Sequence, residues 1–247
     1  MRKLVEAFRN IITTPDLRNR CLFTLMILAV YRLGAFITTP GINSALLLQL
    51  FRQSGNSVLG IVDLFSGGNL RRLSIFALGI MPYITASIIL ELMVVVWPYL
   101  EALKKEGDLG RKKITQYTRY LTIILSIFQS FAIAVTLQHQ NLAGQQLVYN
   151  PGVRFTLMTI LTLTTGSAFI MWLGEQISDR GIGNGMSLII FAGIVVGLPR
   201  AVTNLWEMGA SQQWGAITPV VLGSVVILMV AVVAFIIFVE RGQRRIP

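Results

Sequence analysis

Six long apolar stretches between residues 21 and 239 decide what this chain can become, because together they leave too little polar surface for a domain that folds in water. Five are well defined: Cys21 to Thr39, Leu73 to Pro98, Thr118 to Leu137, Phe155 to Leu173 and Ile217 to Val239. A weaker one starts at Met186. Each of the five is near or above the ~20 apolar residues that carry a helix across ~30 Å of hydrocarbon. In lipid, backbone polar groups are satisfied only in helices or closed barrels, and these runs lack the period-two alternation of barrel strands. The expected fold class is all-α, a polytopic bundle of membrane helices.

Lysine and arginine alternate across the connections. Arg2, Lys3, Arg9, Arg18 and Arg20 precede the first span, and Lys104, Lys105, Arg111, Lys112, Lys113 and Arg119 follow the second. Arg180 follows the fourth span, and Arg241, Arg244 and Arg245 follow the sixth, making fifteen on one side. The other side has five, Arg52, Arg71, Arg72, Arg154 and Arg200, and Arg32 lies within the first span. This asymmetry predicts that both termini face the cytosol.

The net charge of +10 is thus first a topology signal, and anionic lipid headgroups account for much of the rest. A soluble nucleic-acid binder is excluded, since 54% of residues are hydrophobic and 13% charged. The first apolar run starts only at Cys21 and no small-residue cleavage site follows, so the N-terminus is expected to be retained. Cys21 is the one cysteine and His139 the one histidine, which leaves neither a disulfide within the chain nor a histidine-cysteine metal cluster.

Two places break the regularity. Between Pro40 and Ser74 lies an eight-residue apolar piece, Val58 to Phe65, interrupted only by Asp63 and followed by Ser66, Gly67, Gly68 and Asn69. Eight helical residues rise only ~12 Å, too little to span. The piece either lies in the membrane interface or tucks back between spans, and the paired glycines supply a hinge leading directly into span two. The second break is span five, where Met186 to Leu198 runs only thirteen residues before Pro199 and Arg200. Short, proline-interrupted spans mark functional sites in many transporters. In span two, Pro82 is expected to kink the helix. Ile80, Ile84 and Ile88 form a ridge beside it, and Met186, Ile190 and Ile194 repeat the spacing in span five. Such ridges pack against helices or face lipid, or else meet as an apolar constriction that gates a pore by dewetting.

Ionisable groups inside the spans are confined to Arg32 and Glu91, both near enough to an end to snorkel. A cation-coupled transporter needs midplane carboxylates or histidines, and an intramembrane hydrolase needs a base beside Ser167; this chain offers neither. Gly174 to Gly185 carries alternate glycines without a preceding strand or a following Lys-Ser/Thr, so it reads as a tight turn between spans four and five rather than a phosphate loop.

Long motifs along the whole chain resemble the SecY family, the large channel subunit of the Sec protein translocon. They are Phe65-Ser66-Gly67-Gly68, Ser74-Ile75-Phe76-Ala77-Leu78-Gly79-Ile80-Met81-Pro82-Tyr83-Ile84, Lys104-Lys105-Glu106-Gly107 and Gln116-Tyr117-Thr118-Arg119-Tyr120. Trp172-Leu173-Gly174-Glu175-Gln176, Arg180-Gly181-Ile182-Gly183-Asn184-Gly185 and Val239-Glu240-Arg241-Gly242-Gln243-Arg244-Arg245 complete the set.

The resemblance implies about ten spans in two inverted halves, of which this chain holds six. Residues 1–20 are then a cytosolic tail, 21–200 the first five-span half, 201–216 an external hinge loop, 217–239 the sixth span and 240–247 the start of a truncated cytosolic loop. It also implies a channel that passes unfolded secretory polypeptides across, and inserts membrane proteins into, the bacterial inner membrane, without catalysis or cofactor. The segment 58–72 resembles the family's plug, with Val58, Leu59, Gly60, Ile61, Val62, Asp63, Leu64, Phe65, Ser66, Gly67, Gly68 and Asn69 as plug and hinge. Ile80, Ile84, Met186 and Ile190 resemble four of six pore-ring positions, and spans two and three one side of a lateral gate. Lys104, Lys105, Arg111, Lys112, Lys113, Arg241, Arg244 and Arg245 are the implied docking residues for the ribosome or the motor ATPase SecA. SecE and SecG are the implied partner subunits, and signal peptides and nascent chains the implied passengers. The readings from other classes are an ion-coupled transporter of a small solute and a non-conducting scaffold or insertase.

Overall fold

The computed structural model of the chain describes residues 14–53, 60, 63, 66–142, 145–199, 202–203 and 219–242. It divides into two units, Met1–Gly197 and Leu198–Pro247. In the first, helix α1 spans Pro15–Gly34 and α2 Ser44–Gln53. Next come α3 (Met81–Val96), α4 (Pro98–Lys105) and α5 (Asp108–His139). A two-residue antiparallel hairpin pairs Asn141 with Gln146 and Leu142 with Gln145, and α6 (Val153–Arg180) and α7 (Gly185–Val195) follow. The second unit holds α8, Pro219–Glu240. The fold is a helical membrane bundle in which α6 packs against α1, α5 and α7, while α3 packs against α5.

Helix lengths differ from the apolar runs. The 32 residues of α5 rise about 48 Å. The helix therefore extends well beyond its apolar stretch, and the basic connection after span two is partly helical. The loop expected from Gly174 to Gly185 shrinks likewise, because α6 continues to Arg180 and the turn proper is Gly181 to Asn184. Among the described residues, α5 and α6 are each long and apolar enough to cross a membrane. The pair α3 and α4 qualifies only as one span bent by 99° at Trp97.

Span two departs most from expectation. Its helix starts at Met81 rather than Leu73, so α3 rises only about 24 Å. Pro82 lies in the first turn, where its missing N–H costs nothing, and it starts the helix instead of kinking it. Residues 69–80 separate the paired glycines from α3, so they do not lead directly into the helix. That segment is a 3-10 turn at Leu70–Arg72 and then tight turns, with Ala77 N–H donating to Ser74 O at 2.9 Å and Gly79 N–H to Phe76 O at 2.8 Å. Such backbone is tolerated at membrane depth only under protein cover, and Ser74, Phe76, Ala77, Leu78 and Ile80 are all buried. The cover is possible because Gly166 on α6 has no Cβ; any side chain there would strike the Ile75 carbonyl.

Around α5 the packing is regular. Thr118, Thr122, Ser126, Ser130 and Ala134 recur every fourth residue and are buried. Their hydroxyls donate to carbonyls of their own helix, Thr122 to Thr118 O at 2.7 Å and Ser130 to Ser126 O at 2.6 Å. Small side chains with internally satisfied hydroxyls let neighbouring helices approach closely without orphaned polar groups. At the far end of α5 an apolar cluster gathers Leu47 of α2, Leu73, Leu78, Ala134, Leu137, Leu147, Val148 and Phe155. Hydrogen bonds from Asn43 N to Leu147 O and from Tyr149 N to Gly41 O lace its two loops together.

Candidate functional site

A second apolar cluster sits where the two irregular spans begin. Its buried members are Ile27 and Tyr31 of α1, Phe76, Ile80, Ile170, Leu173 and Ile177 of α6, and Ile189 of α7. Ile84, Met186 and Ile190 pack against it half-buried, so all four candidate ring residues share one cluster. Each ridge divides: Ile80 is 5% exposed whereas Ile88 is 52% and Ile194 45% exposed. The outer ridge residues thus lie outside the cluster that holds the inner ones.

Close backbone approaches place these side chains. Asn184 caps α7, its Oδ1 accepting from Met186 N–H at 3.0 Å and Ser187 N–H at 3.3 Å. The Ser178 hydroxyl donates to Gly174 O at 3.0 Å and accepts from Gly185 N–H at 2.9 Å. A Cβ on Gly185 would meet the Gly174 carbonyl, and one on Gly174 would meet the Met186 thioether. The motif glycines therefore set where Met186 stands. On the other wall, Phe76 stacks between Tyr31 at 5.7 Å and Phe169 at 6.1 Å, and its ring lies over Gly34.

Of the plug and hinge residues, Gly60, Asp63, Ser66, Gly67, Gly68 and Asn69 are described; Val58, Leu59, Ile61, Val62, Leu64 and Phe65 lie outside the described residues. Gly67 and Gly68 take φ of +72° and +78°, a conformation that favours glycine. A Cβ on Gly67 would come within 2.9 Å of Gly193 Cα, so the hinge backbone rests directly on α7. Asp63 is buried, accepts from Arg71 N–H at 3.0 Å and sits 3.6 Å from Arg71 Nε, an ion-pair contact too long for a hydrogen bond.

The basic docking candidates split into three places. Lys104 and Lys105 end α4, and Arg111, Lys112 and Lys113 lie near the start of α5. Arg241 follows α8 in the second unit, while Arg244 and Arg245 lie outside the described residues. A cleft of about 570 Å³ beside α5 is lined by Arg111, Lys112 and Arg119 but also by Asp108 and Asp179, so its charge is mixed. Arg119 pairs with Glu175 at 2.6 Å, tying α5 to α6 one residue beyond the Gly174 that abuts Met186. Hydrogen bonding from Lys105, and then its charge, hold the exposed Glu101 carboxyl below the usual carboxylate range.

Sequence reasoning missed Tyr31, Phe76, Gly166 and Gly193 as parts of this site. For the glycines the signal was available, since glycine inside a span marks close backbone approach. Nothing local marked Tyr31.

A family model described as SecY matches residues 74–247. The chain is 52% identical over 232 residues to the protein translocase subunit SecY of Escherichia coli strain K12, covering 94% of this chain and 51% of that protein. It is 51% identical to the protein of that name from Buchnera aphidicola subsp. Acyrthosiphon kondoi, covering 94% of this chain and 64% of that one. For the Pseudomonas aeruginosa protein of that name the identity is 49%, with 94% and 50% covered. The chain thus spans about half the length of the first and third of these relatives. Among solved structures it is similar to Sec61 in the canine ribosome-channel complex from the endoplasmic reticulum, with a TM-score of 0.60 at 20% identity over 93% of this chain and 49% of that one. It is also similar to the structure of a protein conducting channel, with a TM-score of 0.58 at 20% identity over 87% and 46%. At such identity the two structures speak for the fold alone.

Proposed function

The chain belongs to the SecY family, and from that membership we propose that it forms part of a channel that passes unfolded polypeptides across a bacterial inner membrane and releases apolar segments into it. The observation that carries this reading is the single cluster in which Ile80, Ile84, Met186 and Ile190 meet, together with Phe76 of the buried, non-helical segment. An apolar collar suits a varied substrate. It deforms around any side chain, yet excludes water and ions when the passage is empty. The segment 58–72 is the plug over this collar, turning on Gly67 and Gly68. Both termini of this portion face the cytosol in this reading, which the charge asymmetry supports. Lys104, Lys105, Arg111, Lys112, Lys113, Arg241, Arg244 and Arg245 then meet SecA or the ribosome, whose RNA phosphates suit basic loops. SecE and SecG complete the assembly, anionic lipids surround it, and the energy comes from the docked partner because the channel itself performs no catalysis.

Site-specific photo-crosslinking tests this in the complete subunit with a secretory chain arrested halfway across. Probes at Ile84 and Ile190 are expected to capture the chain while one at Val226 does not. Capture at Val226 alone overturns the assignment, and the ridges are then ordinary helix packing.

A further inference from the structure

Asp63 and residues 66–74 are joined by short-range hydrogen bonds. Gly68 N–H donates to Asp63 O at 2.8 Å, the Ser66 hydroxyl to the same oxygen at 3.0 Å, Leu70 N–H to Ser66 Oγ at 3.3 Å and Ser74 N–H to Asn69 O at 3.0 Å. The segment is pinned at its Ser74 end, where Thr39 N–H donates to Leu73 O at 2.8 Å and Ile75 N–H to Ile37 O at 2.9 Å. At its glycine end a different contact holds it. The Asn69 side-chain amide donates to the Tyr31 hydroxyl at 3.3 Å, buried and 38 residues away in sequence. Asn69 precedes the 3-10 turn without capping it, which leaves its side chain for this contact. Tyr31 is itself held by stacking on Phe76, so its oxygen is a fixed point of the bundle.

The geometry points to Tyr31 as a positioning residue for the plug. We infer that its hydroxyl holds Asn69, keeps the Gly67–Gly68 hinge seated on Gly193 of the ring-bearing α7, and so sets how often the resting channel opens without a passenger. This rests on the plug reading proposed above. The chemistry is specific: Tyr31→Phe keeps the stacked ring and removes one oxygen, leaving a buried amide without its acceptor, a worse state than having neither group.

The test is ion leak through the complete subunit with its partner subunits in proteoliposomes, without substrate. Tyr31→Phe is expected to raise the leak roughly three- to tenfold, the range set by one buried hydrogen bond in a membrane protein. Tyr31→Phe combined with Asn69→Leu is expected to bring it back within about twofold of the parent, because the orphaned amide is gone. A merely structural weakening at Tyr31 would not be reversed by a change at Asn69. Deletion of residues 58–65 separates the two readings. If the deletion leaks while Tyr31→Phe does not, or the double variant leaks as much as the single, the inference about Tyr31 is overturned. If the deletion does not leak, the plug reading fails and the inference falls with it.

Discussion

The regular wall around α5 and the irregular wall from Ser74 to α7 solve the same problem in opposite ways. Along the interior of α5 the backbone groups are bonded within the helix, and the buried hydroxyls of Thr122 and Ser130 donate to carbonyls four residues earlier in it, so the neighbours there need supply only shape. From Ser74 to Ile80 the backbone is not helical, and the burial it needs comes from other elements: Gly34, Gly166, Tyr31 and Phe169. The first wall satisfies its interior polar groups within one helix. The second depends on residues distant in the chain for its cover.

The largest effect expected to test this contrast comes from Gly166→Val. Its Cβ meets the Ile75 backbone carbonyl, which cannot step aside as a side chain can, and the loss should be about 3 kcal/mol or more. Poor accumulation of intact complex and an early thermal transition would be the signs, whereas parental stability would show that the irregular wall slides freely and end the contrast. Ser130→Leu gives the middle case. It overpacks the α5 stripe in a region where helices can shift, for an expected cost of about 1–3 kcal/mol in thermal unfolding of the purified complex. A cost above that of Gly166→Val would invert the ranking of the two walls.

The smallest effect lies outside both walls, at the exposed Glu101–Lys105 pair on α4. The folded Glu101 carboxyl titrates below its ordinary value, so any contribution is in force above the ordinary carboxylate pKa and is lost only as pH falls through the lower folded value. Solvent screens such a pair. Melting curves of Glu101→Gln and the parent should therefore coincide at both pH 8 and pH 6, and a separation between them would reveal a structural role for α4.

Much of the site was legible because its parts carry local signals. The spacing of Ile80 and Ile84, and of Met186 and Ile190, picked out side chains that meet in one cluster, and the pair Gly67 and Gly68 picked out a positive-φ backbone. The start of α3 was misread because Ser74 to Ile80 is as apolar as a helix, and apolarity reports burial without reporting backbone conformation. The hydroxyl stripe of α5 was present at every fourth position, yet hydropathy alone hides it, since threonine and serine lower the average while packing as small residues.

The sequence by itself determined that the chain is a helical membrane bundle, where its apolar runs and positive charges fall along the chain and which family's motifs it bears. These follow from transfer free energies summed over contiguous residues, a quantity that depends on composition along the chain and little on partners. Only the tertiary structure decided that Asn69 meets Tyr31, that Gly67 rests on Gly193, and that Ile75 approaches Gly166. Those contacts join residues far apart in the chain, and whether a hydrogen bond forms or a Cβ is tolerated is set by distances of a few tenths of an ångström that no local pattern encodes.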